Sequence, residues 1–488
     1  GKMGKERVST LLTYVACFVV LERSVAYEIP DVKFELLSKG FRASIPDEKN
    51  IALFVFQGNL NGKISNNDVG SISGEVTQAT NGRWVFEDKN IDIKVGDVIN
   101  YYVFVSMNSV GYIKDNLSYK PVRLLEIYHR PDPGTQPPAP ADCKPTLTRV
   151  RGGRACAGQT IFEDNFDSLS ESVWIMEQYI PAAHPEHPYV SYQRQANPPA
   201  VSVKDGLLRI APMLLQNQPG FSEETVYSGS LNLFSSCTGQ ANECLAESSG
   251  ASILPPVVSG RITSKGLGFV YGTVHIRAKL PQGDWVYPEL LLEPFSKRYG
   301  NLNYASGVIK IATARGNSDL KNGAADAGNS VLYGGPIMSS VCRNVLMYEK
   351  KKTDGSSWGD DFHVYSVTWT PDKMYLSVDG QEWAWVSLKP GVEALRDNFG
   401  PRCSDVPKSL LAFGSNMSPF DDFFYLTLGV AAGGITEFPD DSTSSGHPKP
   451  WRNQSPKAML HFWQDMNAWY PSWTNTELLV DYVKVVAL

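Results

Sequence analysis

The stretch NYASGVIKIATARGN, residues 303–317, has the alternation and the β-branched residues typical of a strand. Residues 308 and 310 of a strand share one face, and a bulge would return residue 313 to it. Carboxylates placed in this way could serve as the nucleophile and the acid/base of a glycoside hydrolase. The sequence instead has Val308, Lys310 and Thr313 at these positions. Because valine cannot attack a carbon atom and threonine cannot deliver a proton at neutral pH, we predict a strand without hydrolytic chemistry.

The nearest candidate carboxylates lie in YPELLLEP. Glu289 and Glu293 are four residues apart and therefore share one face of a strand. We interpret them as an ion pair, with Lys310 as a candidate partner, or as a surface patch; catalysis relocated to them is the alternative. His363 is interpreted as structural, with a role in binding as its alternative. The sequence has no CxxC motif or cluster of His and Cys that would form a zinc site, so we predict no metal and no cofactor.

Short strands separated by glycine and asparagine turns lie on both sides of a proline-rich stretch. HRPDPGTQPPAPAD, residues 129–142, has the composition of an extended spacer. We predict a linker over residues 129–155, a first domain over 27–128 and a second over 156–488. The strands of the first domain predict an immunoglobulin-like β-sandwich. The second domain, with the alternating GTVHIRAKLP and the Asp-Gly turn of MYLSVDGQEWAWV, predicts a concanavalin-like β-jelly-roll, so the fold class is all-β.

Composition and the first residues indicate where such a chain works. The 488 residues carry a formal charge of −6 at pH 7, which argues against non-specific nucleic-acid binding. Residues 1–26 begin basic and continue as the apolar LLTYVACFVVL and then SVA, which is typical of a secretory signal cleaved after Ala26. This apolar run of 11 residues is shorter than the roughly 20 that a membrane span requires. We predict a secreted, extracellular protein without a membrane span.

Six of the seven cysteines follow the predicted signal, and an even number in a secreted chain favours disulfides. Six cysteines allow fifteen connectivities. Proximity in sequence favours the pairs Cys143–Cys156, Cys237–Cys244 and Cys342–Cys403. Asn116, in NLS, is a candidate glycosylation site; the sequons at Asn416 and Asn453 are weakened by a following proline.

Several motifs of the second domain resemble the laminarinase-type glycoside hydrolases of family 16. They are, in order, FEDNFDSLSESVWIME, GLGFVYGTVHIRAKLPQGDWVYPELLLEP, DDFHVYSVTWTPDKMYLSVDG, FYLTLGVAAGG, KPW and VDYVKV. Active members have SGEIDIMESRGN where this chain has SGVIKIATARGN, so the resemblance implies that Val308, Lys310 and Thr313 replace the catalytic carboxylates. It also implies that Trp285 and Trp451 stand where the family's cleft tryptophans stack on sugar rings. The alternative is that both are core or rim residues.

The first domain resembles the glucan-binding module, carbohydrate-binding module family 39, of insect β-1,3-glucan recognition proteins, also called Gram-negative bacteria-binding proteins. The matching motifs are YEIPDVKFELLSKGFRASIPDE, LFVFQGNLN, NGRWVFEDKN, KVGDVINYYVFV and GYIKDN. The resemblance implies glucan contacts on one exposed face by Trp84, Arg42 and Asp47, with Lys89 as a weaker donor. The alternatives are a core position for Trp84 and an ordinary surface pair of Arg42 and Asp47.

The order of the two domains is the architecture of that family. It implies a soluble haemolymph sensor of innate immunity that binds microbial β-1,3-glucan, self-associates on it, and promotes prophenoloxidase or Toll serine-protease cascades. NGKISNNDVG and FEDK depart from segments of relatives that bind glucan well, so a changed ligand preference stays open. The alternatives are an active β-1,3-glucanase and a binding or scaffold protein for another microbial ligand, such as lipopolysaccharide.

Overall fold

The structure is a computed structural model that divides into two compact units, Gly1–Pro131 and Asp132–Leu488. The predicted signal and the proline-rich stretch 129–142 lie outside the residues that it describes. The described residues are 27–36, 40–66, 68–91, 93, 97–108, 110–119, 143–387, 399, 402–412 and 414–488.

The small unit is a sandwich of two antiparallel sheets. Its strands are β1 (Lys33–Leu36), β2 (Phe41–Pro46), β3 (Ile51–Leu60), β4 (Ile72–Val76), β5 (Arg83–Asp88), β6 (Ile99–Met107) and β7 (Val110–Tyr119). One sheet has the order β1-β2-β5 and the other β4-β3-β6-β7. Alternate residues of INYYVFVSM in β6, such as Val103 and Val105, are fully buried between the sheets. The predicted β-sandwich is confirmed.

The large unit is built on two larger sheets. The first has nine strands: β8 (Arg149–Val150), β10 (Trp174–Met176), β18 (Arg261–Ser264), β19 (Phe269–Val270), β21 (Val286–Pro294), β22 (Val308–Thr313), β25 (Val331–Ile337), β26 (Tyr348–Lys351) and β30 (Phe424–Ala432). Its main order is β10-β18-β30-β21-β22-β25-β26, with β19 joining β30 to β8. The central strand β22 is therefore hydrogen-bonded on both sides.

The second sheet has eight strands. They are β9 (Thr160–Asp164), β12 (Val201–Lys204), β13 (Leu207–Ile210), β20 (Gly272–Lys279), β27 (His363–Trp369), β28 (Lys373–Val378), β29 (Gln381–Ser387) and β33 (Leu478–Val486). The order is β12-β13-β33-β20-β27-β28-β29, with β9 beside β33. Asp379 and Gly380 join β28 to β29 with positive φ angles, as the predicted two-residue turn requires. His363 Nδ1 donates to the Asp379 carboxylate, 2.7 Å from Oδ2, which fits its structural interpretation.

The main core lies between these two sheets. Val274, Ile276 and Ala278 of β20 are fully buried in it, whereas the intervening residues face outward, as their alternation predicts. A second apolar core packs at the ends of β21 and β30 and includes Trp285 and Trp451. The all-β jelly-roll prediction is confirmed.

Shorter elements complete the large unit. The remaining strands are β11 (Val190–Tyr192), β14 (Met213–Leu214), β15 (Ser230–Asn232), β16 (Leu245–Glu247), β17 (Val257–Ser259), β23 (Leu320–Asn322), β24 (Ala325–Asp326), β31 (Ser442–Ser444) and β32 (His447–Pro448). The α-helices are α1 (Glu223–Ser228), α2 (Lys408–Leu411), α3 (Ala458–Gln464) and α4 (Met466–Trp469). Short 3₁₀ helices span Leu215–Asn217, Phe234–Ser236, Ala241–Glu243 and Tyr470–Ser472.

Three disulfides lie in the large unit and confirm the predicted pairs. They are Cys143–Cys156, Cys237–Cys244 and Cys342–Cys403, with Cα–Cα distances of 5.1, 5.7 and 5.5 Å. Residues 143–155, predicted as linker, instead lie on the large unit: β8 pairs with β19, and Thr146 Oγ1 donates to Leu488 O at 2.6 Å. The first disulfide and this strand pairing hold the segment in place.

Candidate functional site

Strand β22 carries the three positions that sequence analysis singled out. The register between β22 and β25 shifts between Lys310 and Thr313, which is the irregularity that a bulge produces. Ile311 lies in the main core, so its neighbour Lys310 points to the opposite face of the sheet. Thr313 Oγ1 donates to Pro288 O at 3.1 Å. Val308, like the other two, is buried, and none of the three side chains can act as a carboxylate.

Lys310 belongs to a group of five charged side chains, the buried ion cluster, formed by Glu186, Lys310, Arg315, Arg343 and Glu437. Its Nζ lies 3.1 Å from Glu437 Oε2 and 3.4 Å from Glu186 Oε1. Arg343 contacts both carboxylates, with Nε 2.7 Å from Glu186 Oε1. Arg315 Nε lies 3.2 Å from Glu437 Oε1. Lys310 is only 3% exposed, so this cation is satisfied inside the protein and not by water.

The cations of the buried ion cluster keep its carboxylates ionised. Burial opposes the charged form of Glu186, but Arg343 and Lys310 outweigh burial and hold its pKa well below the usual value. The same two cations lower the pKa of Glu437 against burial. Burial lowers the pKa of the adjacent His184 to about 4, with Glu186 acting in the opposite direction. A retaining or inverting glycosidase needs one protonated and one ionised carboxyl group. Glu186 and Glu437 do not meet this requirement, because the cations keep both of them ionised.

Glu289 and Glu293 form a separate group on β21. Arg261 of β18 lies 3.4 Å from Glu289 and 2.8 Å from Glu293. Tyr192 donates its hydroxyl to Glu289 Oε2 at 2.9 Å. Burial raises the pKa of Glu289, whereas Arg261 overcomes burial at Glu293 and lowers its pKa. The ion-pair interpretation is confirmed with Arg261 as the partner in place of Lys310. The surface-patch interpretation is wrong because Glu289 is buried and the Glu293 side chain is only 14% exposed.

Trp285 and Trp451 do not present faces to solvent. They are 2% and 1% exposed, and their ring centroids lie 5.1 Å apart in an edge-to-face arrangement. Trp451 Nε1 donates to Gly434 O at 2.8 Å. The expectation of exposed stacking faces is wrong for these two residues, because the second apolar core encloses them; the core alternative is confirmed.

Trp84 of the small unit is likewise a core residue. It is 4% exposed and lies on the inner side of β5 with Phe86. Its indole Nε1 donates to Asp47 Oδ1 at 2.7 Å. The expectation of Trp84 on an exposed face is therefore wrong, since strand alternation directs it inward, and Asp47 is the partner of the indole and not of Arg42.

The outward side of the sheet β1-β2-β5 carries the remaining predicted residues. Arg42 and Lys89 both contact Glu87, which faces Arg42 across the two strands, and Lys89 Nζ lies 2.6 Å from Glu87 Oε1. The hydrogen bond from Lys89, and to a smaller extent the one from Arg42, lowers the pKa of Glu87. Arg83, which sequence analysis missed, donates from Nε to Ser44 Oγ at 3.0 Å on the same side. We call this surface the charged face; its residues are Lys33, Glu35, Arg42, Ser44, Arg83, Glu87 and Lys89.

Of the residues that the sequence analysis did not identify, a sequence pattern could have indicated some and not others. Arg83 shares a strand face with Val85 and Glu87, opposite Trp84, so period-two alternation alone places it outward. Glu186 and Glu437 lie in segments far apart in the chain, and no spacing in the sequence relates them to Lys310. Asn116, the predicted glycosylation site, is exposed on β7.

The part of the chain that the structure describes offers neither a cluster of metal ligands nor a membrane-spanning helix. Within that part, no group of three or more His, Cys, Asp or Glu side chains could hold a metal ion. No helix among the described segments is long and apolar enough to cross a membrane.

Comparison with known proteins shows which family the chain belongs to. Residues 28–131 match the family model CBM39, described as "Carbohydrate binding domain (family 32)". The chain is therefore an all-β protein of two β-sandwiches, the smaller of which matches a carbohydrate-binding domain model. The chain is 56% identical over 465 residues to the beta-1,3-glucan-binding protein of Hyphantria cunea, covering 95% of this chain and 96% of that protein. It is 36% identical over 499 residues to Gram-negative bacteria-binding protein 1 of Drosophila melanogaster, covering 95% and 96%. The chain therefore belongs to the family of insect β-1,3-glucan-binding and Gram-negative bacteria-binding proteins.

Among solved structures, the catalytic domain of an endo-1,3-beta-glucanase (laminarinase) from Thermotoga petrophila is similar to the chain. The TM-score is 0.42 at 18% identity, covering 67% of this chain and 97% of that one.

Proposed function

We propose that this protein is a secreted, non-catalytic recognition protein of innate immunity that binds microbial β-1,3-glucan. The observation that carries the proposal is the whole-length relationship to proteins named for β-1,3-glucan binding, at 56% identity to the Hyphantria cunea protein. Release into the haemolymph after cleavage at Ala26, self-association on glucan and promotion of a serine-protease cascade are parts of the same proposal.

The charged face of the small unit is the proposed glucan-binding surface. Arg42, Glu87 and Lys89 offer charged donors and acceptors side by side on an open sheet. Hydrogen bonds from charged groups to hydroxyls are stronger than those between neutral groups, so this surface suits a polymer whose rim consists of hydroxyl groups. Trp84 and Asp47 support the strands from beneath and are proposed as positioning residues.

The large unit is proposed to lack hydrolytic activity. Val308 and Thr313 supply neither nucleophile nor acid/base, and the absence of a general acid alone costs about 10²- to 10⁴-fold in rate. A cation such as Lys310 about 5 Å from a developing oxocarbenium ion opposes it by roughly 3 kcal/mol at an effective dielectric constant of about 20. Arg261 contacts both Glu289 and Glu293, which supports a structural role for these two carboxylates.

Co-sedimentation of the secreted protein with insoluble β-1,3-glucan, with cellulose as the control polymer, tests the binding proposal. We expect selective pelleting with β-1,3-glucan and a loss of affinity of at least about fivefold in Arg42→Ala, the size of a significant interface contact. Lys114→Ala, on the other sheet and paired with Asp31, is the control cation and should bind normally. Absence of pelleting with either polymer would overturn glucan recognition.

The absence of catalysis has its own assay. Incubation with laminarin should release no new reducing ends. Release that is abolished by Glu289→Gln or Glu293→Gln would show that catalysis has moved to β21.

A further inference from the structure

The outward side of the eight-stranded sheet carries aromatic side chains that the buried core does not use. Trp385 of β29 is 61% exposed, although its neighbours Ala384 and Val386 are buried. Tyr375 of β28 lies directly opposite Trp385 in the antiparallel register and is half-buried. An exposed tryptophan beside a tyrosine offers an apolar surface with polar edges.

Register extends this pair into a line across four strands. Thr368 of β27 faces Tyr375, and Thr273 of β20 faces Thr368, with the two threonine hydroxyl oxygens 3.1 Å apart. We call these four residues the outer row: Trp385, Tyr375, Thr368 and Thr273. Since neighbouring strands lie about 4.8 Å apart, the outer row spans roughly 14 Å.

Polar groups border the outer row. Lys373 Nζ lies 4.5 Å from the centroid of the Tyr375 ring. In the next row His275 Nδ1 lies 2.8 Å from Ser366 Oγ. The surface therefore combines two aromatic rings, the hydroxyl groups of two threonines and the nearby cation of Lys373.

We propose that the outer row is a second carbohydrate-binding surface, which takes a neutral β-linked glucan chain laid across the strands. The apolar C–H faces of sugar rings would stack on Trp385 and Tyr375, while Thr368, Thr273 and Lys373 hydrogen-bond the sugar hydroxyls. A protein partner would favour a broader apolar centre than two rings offer. The inference rests on the proposed function and deepens it, because it assigns part of glucan binding to the large unit.

Two surfaces on one chain would strengthen binding to a polymer without strengthening either site. Once one surface is bound, the other meets the same polymer at a high effective concentration. Binding to long insoluble glucan should then depend on the outer row more strongly than binding to a short oligosaccharide does.

Fluorine NMR of the full chain labelled with 5-fluorotryptophan tests the outer row directly. The chain has 11 tryptophans, and Trp385→Phe identifies the resonance of Trp385. We expect this resonance to shift on titration with laminarihexaose, in the wild-type chain and in Arg42→Ala alike. In co-sedimentation, Trp385→Ala should lower the affinity for insoluble β-1,3-glucan at least about fivefold.

Control variants separate the outcomes. Trp385→Tyr should retain most of the affinity, and Leu302→Ala, at a side chain 62% exposed elsewhere on the large unit, should retain all of it. Pelleting with an unmoved Trp385 resonance would overturn the outer row and leave the proposed function intact. If the Trp385 resonance shifts but Arg42→Ala pellets as well as the wild-type chain, the outer row is supported and the charged face is overturned. A shift on concentrating the protein without sugar would assign the surface to a second copy of the chain and overturn the proposal.

Discussion

Lys310 gives the buried ion cluster a third cation beside two carboxylates, and this balance determines the effect of each substitution. Removing one partner of a buried pair costs about 3–5 kcal/mol because it leaves an uncompensated charge. We expect a loss of this size in the free energy of unfolding for Glu437→Gln, which leaves three cations with Glu186 alone. Lys310→Met leaves two guanidinium groups with two carboxylates, so its loss should be smaller.

Chemical denaturation measures this order, with Glu349→Gln at an exposed position of β26 as the matched control. Losses of equal size for Glu437→Gln and Lys310→Met would contradict the account based on charge balance.

His184 predicts a pH dependence of stability. Burial lowers its pKa from 6.5 to about 4, so below pH 6.5 the unfolded chain binds a proton that the folded chain does not. Stability should therefore fall as the pH is lowered from 6.5 to about 4, by up to about 3 kcal/mol from this residue. Unfolding measured across this range should show a shallower slope in His184→Asn. His187 and His275, whose pKa values burial also lowers, account for part of the remaining slope; an unchanged slope would exclude His184 as its source.

At the scale of the element, Trp84 of β5 points into the core, so we expect its substitution to affect the stability of the small unit. Trp84→Ala should destabilise the small unit by about 3–5 kcal/mol, as removal of a large core side chain does. Trp84→Phe keeps most of the packing and loses the hydrogen bond to Asp47, so it should cost less. Calorimetry of the full chain would show the small unit melting earlier in Trp84→Ala. Wild-type melting of that variant would contradict a core role.

The same strand shows how much of the fold and site the sequence could predict. Alternation of RWVFED directs Trp84 and Phe86 to one side and Arg83 and Glu87 to the other, so the inward direction of Trp84 was present in its neighbours. The family resemblance predicted that Trp84 is exposed. A matched motif shows which residue occupies a position but not whether that position is buried. The buried ion cluster could not be predicted, since only the folded sheets bring Glu186 and Glu437 to Lys310.

On the scale of the whole molecule, the three disulfides all lie in the large unit and stabilise that unit. Cys342 and Cys403 are 61 residues apart, and Cys237 and Cys244 are 7 apart. In the chain-entropy model the longer loop contributes about 4 kcal/mol and the shorter about 2. We expect Cys342→Ser/Cys403→Ser to destabilise the large unit more than Cys237→Ser/Cys244→Ser. Thermal melting under reducing conditions should lower only the transition of the large unit, because residues 27–128 contain no cysteine; a matching shift of the small unit would contradict this assignment.

The buried ion cluster also limits which substitutions strand β22 can accept one at a time. Lys310→Asp would set a third carboxylate against Glu186 and Glu437, with Arg315 and Arg343 as the remaining cations of the buried ion cluster. An acid introduced at position 310 alone should therefore lower the free energy of unfolding. A carboxylate at position 310 would need a second, compensating change within the buried ion cluster, so selection acting one substitution at a time should retain a cation there.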